Sequence, residues 1–185
     1  MNKENIDITN VALKTNRLVL RAFKSTDLDD FYEYASVEGV GEMAGWRHHE
    51  SKEKSLEILN LFIKEKKTFA LVYDNKVIGS LGIEKYNEDE LKEFDSKLGR
   101  ELGFVLAKPY WGKGLMAEAV NAVIAYLFNE EHLDFITCGH FVNNYQSFRV
   151  QEKCGFKHYK LIKFKTRMGN IEDTYLSILL KENYK

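Results

Sequence analysis

Apolar positions recur along this chain with two different periods, and the switches between them mark out its elements. Arg17-Leu-Val-Leu-Arg-Ala-Phe23 alternates as a strand does. Leu28, Phe31, Tyr32 and Ala35 then fall on one face of a helix that Ser25 or Thr26 can cap. Glu38–His49 is too glycine-rich for a helix and too aromatic for a plain linker, so it reads as an ordered loop. Ser51 opens a second helix, with Leu56, Leu59, Phe62 and Ile63 on one side. Thr68–Tyr73 and Lys76–Ile83 are β-rich runs joined by Asp74-Asn75, which predicts a hairpin. The charged stretch 87–97 reads as a solvated excursion with a helical turn.

The second half carries the clearest signals. Phe104, Val105 and Leu106 form an apolar run that predicts a strand buried on both faces, and Pro109 ends it. Leu115, Met116, Ala119, Val120, Val123, Ile124, Leu127 and Phe128 recur every three to four residues, a helical stripe. Asp134–Val142 is a further strand, and a strand–helix–strand unit of this length predicts a right-handed parallel crossover. Asn143 or Asn144 caps a short helix that Gly155 ends in the left-handed conformation, with Phe156 packing back. Tyr159–Met168, a Gly169-Asn170 turn and Thr174–Leu180 form a second hairpin. Residues 1–13 read as a loose lead-in, and no repeat or linker divides the chain. The expectation is one α+β domain over residues 1–185: a mixed, mostly antiparallel sheet of about seven strands with three to four helices on its faces.

Composition adds limits. At 185 residues the chain can bury one sizeable core. Its net charge of −1 gives no case for general nucleic-acid binding. No apolar run approaches the roughly 20 residues of a membrane span, and the polar N-terminus lacks a signal-peptide core. Cys138 and Cys154 are outside any metal-type spacing, which points to reduced thiols and a cytoplasmic home. A catalytic cysteine stays open, with packing as a small hydrophobe the plainer reading. His48 and His49 are adjacent and have no third ligand at metal spacing, so no metal is expected.

The candidate chemistry centres on Tyr110-Trp-Gly-Lys-Gly114, between a strand and a helix. A glycine loop at a helix N-terminus offers unpaired backbone N–H groups and positive potential, which suits phosphate. A P-loop needs Lys-Ser/Thr after its glycines, but Leu115 follows Gly114. Gly112, Gly114 and Ala117 satisfy the dinucleotide fingerprint literally; however, the nearby acids Glu130, Glu131 and Asp134 precede the next strand instead of ending it. The loop resembles motif A of the GNAT acyltransferase superfamily, with Gly114 as the required glycine, although Trp111 and Met116 depart from its general Q/R-x-x-G-x-G/A pattern. The Tyr-Trp-Gly-Lys-Gly form, together with Asn144-x-x-Ser147-x-x-x-x-Glu152-Lys153-x-Gly155-Phe156, is similar to the Rim-type branch of ribosomal-protein N-terminal acetyltransferases. Thr15–Arg21 resembles that branch's first strand, and the likeness spans about residues 14–180.

This resemblance implies acetyl-CoA as cosubstrate and a primary amine, such as a protein N-terminus, as acceptor, with direct attack in a ternary complex. It implies that backbone N–H groups of Trp111, Gly112, Lys113, Gly114, Leu115 and Met116 hold the pyrophosphate. Lys108, Lys113, Arg149 and Lys153 could add charge, and Asn144 and Ser147 lie at cofactor positions. Phe104, Val105 and Leu106 would pair with pantetheine through free backbone groups, with an oxyanion donor near Val105. Glu101, an acid in an otherwise apolar strand, is the candidate base; a structural ion pair with Arg100 or another base is the alternative. Gln151 stands where many GNAT enzymes carry an acidic tyrosine, which leaves Ser147 as candidate acid, cofactor anchor or helix cap. An antibiotic or polyamine acetyltransferase and a non-catalytic CoA-binding module are the rival functions. The terminal hairpin leaves edge strands open to a homodimer.

Overall fold

A computed structural model of the chain describes residues 6–184. Eight strands form one sheet: β1 (Ala12–Lys14), β2 (Val19–Ala22), β3 (Thr68–Tyr73), β4 (Lys76–Glu84), β5 (Gly99–Leu106), β6 (Phe135–Phe141), β7 (Lys157–Lys165) and β8 (Ile171–Leu180). Their spatial order is β1-β2-β3-β4-β5-β6-β8-β7. Only β5 and β6 run parallel, joined by the expected crossover through a helix. The four helices are α1 (Leu28–Ala35), α2 (Lys52–Glu65), α3 (Leu115–Asn129) and α4 (Tyr145–Lys153).

The extra strand comes from the segment expected to be a loose lead-in. Ile6 and Ile8 are buried, and the Ile8 N–H donates to the Lys66 carbonyl at 2.8 Å, so the chain enters the core before β1 pairs with β2. The same expectation for residues 1–5 lies outside the described residues. Asp74 and Asn75 both take positive φ, the mirror-image turn that a two-residue hairpin requires. The stretch 87–97 is less solvated than its charges suggested, because Leu91 is buried and the Phe94 and Phe135 ring centroids are 4.6 Å apart.

The sheet is covered on both faces. α1 and α2 lie on one, packing Phe31 and Leu59 over Ala70, Val77 and the half-buried Val105. α3 and α4 lie on the other, where Val120, Val123 and Leu127 meet Leu102 and Leu106. Strand alternation sends odd residues of β5 to the α1/α2 face and even ones to the α3 face. Two stripes differ from expectation. On α2 the inward line is Ser55, Leu59 and Phe62, with Leu56 and Ile63 exposed. On α1 Tyr34 lies deeper than Tyr32. Ser51 caps α2 through the Lys54 N–H. Neither Ser25 nor Thr26 caps α1: Asp27 instead accepts the Lys24 N–H and pairs with Arg21 through both oxygens.

Gly79 on β4 permits the close β4–β5 approach. A Cβ there would sit 2.4 Å from the Val105 carbonyl oxygen, a backbone atom that cannot swing away. Gly79→Ala should therefore cost about 1–3 kcal/mol in urea unfolding, the usual size of overpacking. Gly103→Ala should be neutral or stabilising, because a Cβ at that exposed strand position meets nothing within 4 Å. Equal effects in the two variants would show that the close approach at Gly79 does not decide.

Candidate active site

The site begins where two strands part. β5 and β6 pair only from Gly99–Phe135 to Leu102–Cys138, while β6 continues along β8 to Phe141. Beyond Leu102, β5 has a neighbour on one side only, β4. The Ala107 N–H bonds to the Ile78 carbonyl, so alternation of the ladder turns the polar groups of 101, 103 and 105 toward β4. Those of Phe104 and Leu106 face the gap. The free N–H in the gap is thus that of Phe104, one residue from the position expected near Val105. The Leu106 carbonyl accepts the Trp111 indole N–H at 2.6 Å. Because the strands diverge, Gly103 is exposed and Phe104 and Val105 are only half-buried, unlike a strand covered on both faces.

A cleft of about 850 Å³ occupies this gap, lined by Glu101, Phe104, Trp111, Gly114, Asn144 and Ser147 among others. The volume suits a small-molecule site. Every site residue expected from the sequence lines it except Lys108 and Lys113, the latter with its Nζ over the Tyr110 ring at 5.4 Å from the centroid.

Glu101 sits on the α1/α2 face of β5. Burial pushes its carboxyl up to about 7, and the nearby Glu84 carboxylate adds to the rise. Arg100 points to the opposite face by alternation, so it is no partner for this carboxyl. Glu84 is directly across the ladder, in register with Glu101. Its own carboxylate accepts from Lys67 Nζ at 2.6 Å, and Lys67 also meets Glu65. Sequence reading missed Glu84 because an acid closing an apolar strand looks like a solvated end; only the register brings it to Glu101.

The glycine loop has the form its sequence suggested. Gly112 and Gly114 have φ of 74° and 76°, which favours glycine, and a Cβ on Gly112 would meet nothing within 4 Å. The Trp111 N–H closes a turn onto the Lys108 carbonyl, so the donors facing out of the loop start at Gly112. Leu115 and Met116 bury their side chains in the α3 core and present only backbone. Thr15 and Arg17 clamp the loop from behind. Glu118 in the first turn of α3 accepts from Thr15 Oγ1, the Arg17 N–H and Arg17 Nε, while Arg17 Nη1 holds the Lys113 carbonyl at 3.0 Å. Lys108 is turned away to the Glu38 carbonyl. Arg149, paired with Glu152, and Lys153 remain as the cations on the α4 side of the cleft.

α4 carries a connected set of polar groups. Asn144 accepts the Ser147 N–H, so it, not Ser147, is the helix cap. Its amide also donates to the Met43 carbonyl, tying α4 to the Glu38–His49 loop. Gln151 is buried; its amide donates to Ser147 Oγ at 3.2 Å and to the Gly139 carbonyl, while its oxygen faces His140 Nδ1 at 3.0 Å. Ser147 Oγ thus receives a hydrogen bond from below, which leaves its own proton free to donate elsewhere. Cys138 has no such setting: burial pushes its thiol well up, and it packs in the core as a small hydrophobe.

The opposite wall is the Glu38–His49 loop. Glu42 organises it. Burial works against its charge, yet the His48 N–H and ring, with the Gly39 N–H, hold the carboxyl at about 2. His49 is buried against Phe31 and bonds Ser55. His48 is thus engaged within the loop and His49 by α1 and α2, and among the described residues no group of three His, Cys, Asp or Glu could hold a metal. No helix among them is long and apolar enough to cross a membrane.

Glu101 makes a stability prediction. At pH 4 both folded and unfolded states hold its proton. Between about 4.5 and about 7 the folded state keeps a proton that the unfolded state has lost, so stability falls as pH rises through that window. Glu101→Gln removes that loss. Its stability relative to wild type should rise by up to roughly 3 kcal/mol from pH 4 to pH 8, read by urea unfolding. A difference independent of pH would show that the carboxyl titrates normally.

The comparisons with known proteins agree with this geometry. Residues 17–157 match the family described as an acetyltransferase (GNAT) domain. The uncharacterized N-acetyltransferase YoaA of Bacillus subtilis (strain 168) is 27% identical over 177 residues, covering 91% of this chain and 96% of its own. The crystal structure of a GNAT-family acetyltransferase from Bacillus anthracis superposes with a TM-score of 0.81 at 25% identity, covering 93% of this chain and 99% of that one. The ribosomal-protein-S5-alanine acetyltransferase of Vibrio fischeri superposes at 0.70 with 23% identity, over 95% and 99% of the two chains. A glycine loop at a helix start, a parted parallel strand pair and a family match over most of the chain meet in one cleft: the chain belongs to the GNAT family and is an acyl-CoA-dependent acetyltransferase.

Proposed function

We propose that the protein transfers an acetyl group from acetyl-CoA to a free α-amino group, such as a protein N-terminus, by direct attack in a ternary complex. The observation that carries this reading is Glu101: a carboxyl poised at about 7, at the point where β5 loses its partner strand. The Rim-type motifs of the sequence and the fold shared with a ribosomal-protein acetyltransferase support the protein N-terminus as acceptor. The acidic stretch 87–97, which would suit a polyamine acceptor, does not line the cleft: Glu93 bonds Tyr159 and Glu90 pairs with Lys160 on β7.

The residues present fit the cosubstrate. The N–H groups of Gly112–Met116 form a cradle for the pyrophosphate, and the empty space over Gly112 admits close approach. Arg149 and Lys153 add positive charge on the same side. Pantetheine extends along the gap-facing backbone of Phe104 and Leu106, as an added strand would. The Phe104 N–H serves the thioester oxygen as charge builds on it.

Two protons must move. The incoming ammonium gives one to Glu101, directly or through water, and its nitrogen then attacks the thioester carbonyl carbon. A carboxyl that titrates near pH 7 suits this proton transfer, being ionised enough to accept and basic enough to compete. As the C–S bond breaks, the nitrogen releases its second proton to water, and the thiolate takes one from the Ser147 hydroxyl, which that water restores. Gln151 holds that hydroxyl in the donating orientation.

Three measurements test this. Acetyl-CoA should raise the melting temperature far more than NADH or ATP, since a ligand of the folded state stabilises it by mass action. Glu101→Gln should lower kcat by about 10²–10⁴-fold with acetyl-CoA affinity nearly kept, and the deficit should shrink at high pH, where free amine is abundant. Ser147→Ala should cost less, about 10–10²-fold in turnover at saturating acetyl-CoA. Loss of affinity with turnover intact would make Ser147 a cofactor anchor instead.

A further inference from the structure

The acceptor end of the cleft has a composition that the family match does not specify. On the α1/α2 face its floor is a pair of glycines in register, Gly82 on β4 and Gly103 on β5. Gly103 is exposed, and a Cβ there would meet no atom within 4 Å, so open space stands directly above it. One end of this trough is closed by the facing carboxyls of Glu101 and Glu84. The walls are apolar. Trp46 and Phe62 come from the α1/α2 side, and Phe141, Ile162, Phe164 and Leu176 from the β6–β8–β7 side. Gly45 lies against this second wall: its Cβ would be 3.3 Å from the Phe164 ring and 3.5 Å from Phe141. Phe164 stays 39% exposed, which leaves apolar surface for a ligand to cover.

Charge sets a second limit. Glu84 and Glu101 are the acids lining the cleft, and Glu84 is already paired with Lys67. The other charged groups on the lining are Arg149, Lys153 and Arg167, all cations. One ammonium can be held beside Glu101, but a second positive charge would find no free carboxylate and would meet repulsion.

We infer that the acceptor is a monocationic primary amine carrying a bulky apolar substituent next to the amino group, such as a peptide whose first residue is aromatic or large aliphatic. This rests on the acetyltransferase reading above. The ammonium sits at Glu101, and the apolar group fills the trough over Gly103 against Trp46, Phe141 and Phe164. Burying a side chain of that size instead of a methyl group discriminates by about one to two orders of magnitude.

The test is a panel of small acceptors, phenylalaninamide, leucinamide, alaninamide and spermidine, with acetyl-CoA. Thiol release and product mass are followed. Phenylalaninamide and leucinamide should exceed alaninamide in kcat/KM by about 10–100-fold, with spermidine no better than alaninamide. Gly103→Leu, which fills the trough, should collapse that ratio toward unity while acetyl-CoA still raises the melting temperature. Gly103→Ala should lower the ratio by a smaller step and guards against misfolding of the larger variant. Preference for alaninamide or spermidine, or a ratio unmoved by both Gly103 variants, overturns the inference and leaves the acetyltransferase reading standing. Stabilisation by acetyl-CoA with no amine acetylated overturns that reading, and this inference with it.

Discussion

The structure turns on a pairing that stops early. β5 and β6 are bonded as far as Leu102 and Cys138 and then separate, although each strand continues. Backbone polar groups in a sheet interior must find partners, and parting the strands leaves the gap-facing groups of Phe104 and Leu106 to be satisfied by something else. Trp111 meets that need once, at the Leu106 carbonyl, and in doing so fixes the start of the glycine loop against the strand. The same separation exposes Gly103 and half-exposes Phe104 and Val105 in the middle of the sheet. A cleft is the geometric result, with sheet backbone for one wall and the start of α3 at its end.

The chemistry of Glu101 follows from where this parting occurs. Its carboxyl lies just before the split, low enough in the sheet to be shielded from water and close enough to the cleft to reach a ligand. Burial raises its affinity for a proton, and Glu84 across the ladder reinforces the effect. The resulting instability at neutral pH is a local cost borne by the rest of the core. Long-range ties hold the surrounding pieces in place. Arg17 and Thr15 grip the first turn of α3 through Glu118. Asn144 links the start of α4 to the Met43 carbonyl. The Arg167 N–H bonds the Gly45 carbonyl, joining the β7–β8 turn to the same loop. The start of α4 and the β7–β8 turn are therefore both tied to the Glu38–His49 loop across the cleft.

Much of this was legible in the order of residues alone, because local rules act over short distances. Glycines 112 and 114 before a helical stripe imply a tight loop at a helix start; the loop is there, with both residues at positive φ. Asp74-Asn75 between β-rich runs, the cap before α4 and the Gly155 stop are decided by neighbours in the chain, and they formed where expected. An acid inside an apolar strand marked Glu101 before any partner was visible. The strand and helix order, and with it the parallel crossover, also follow from periodicity.

Tertiary structure decided what depends on register and distant contact. Glu84 gained its meaning only when the ladder set it opposite Glu101. Gln151, a departure from the wider superfamily in sequence, became the residue that orients Ser147 only when α4 docked over His140 and Gly139. The Trp111 N–H, counted from sequence among the phosphate donors, went to Lys108 because the loop opens with a tight turn. Ile6 and Ile8 joined the core, against the expectation of a loose lead-in, because they pack into the cluster on the α3 face and the Ile8 N–H pairs with the Lys66 carbonyl. Hydrophobic pattern and turn chemistry specify each element by itself. Which side chains share a cleft is set by strand register and packing between residues distant in the chain, and no local signal encodes that.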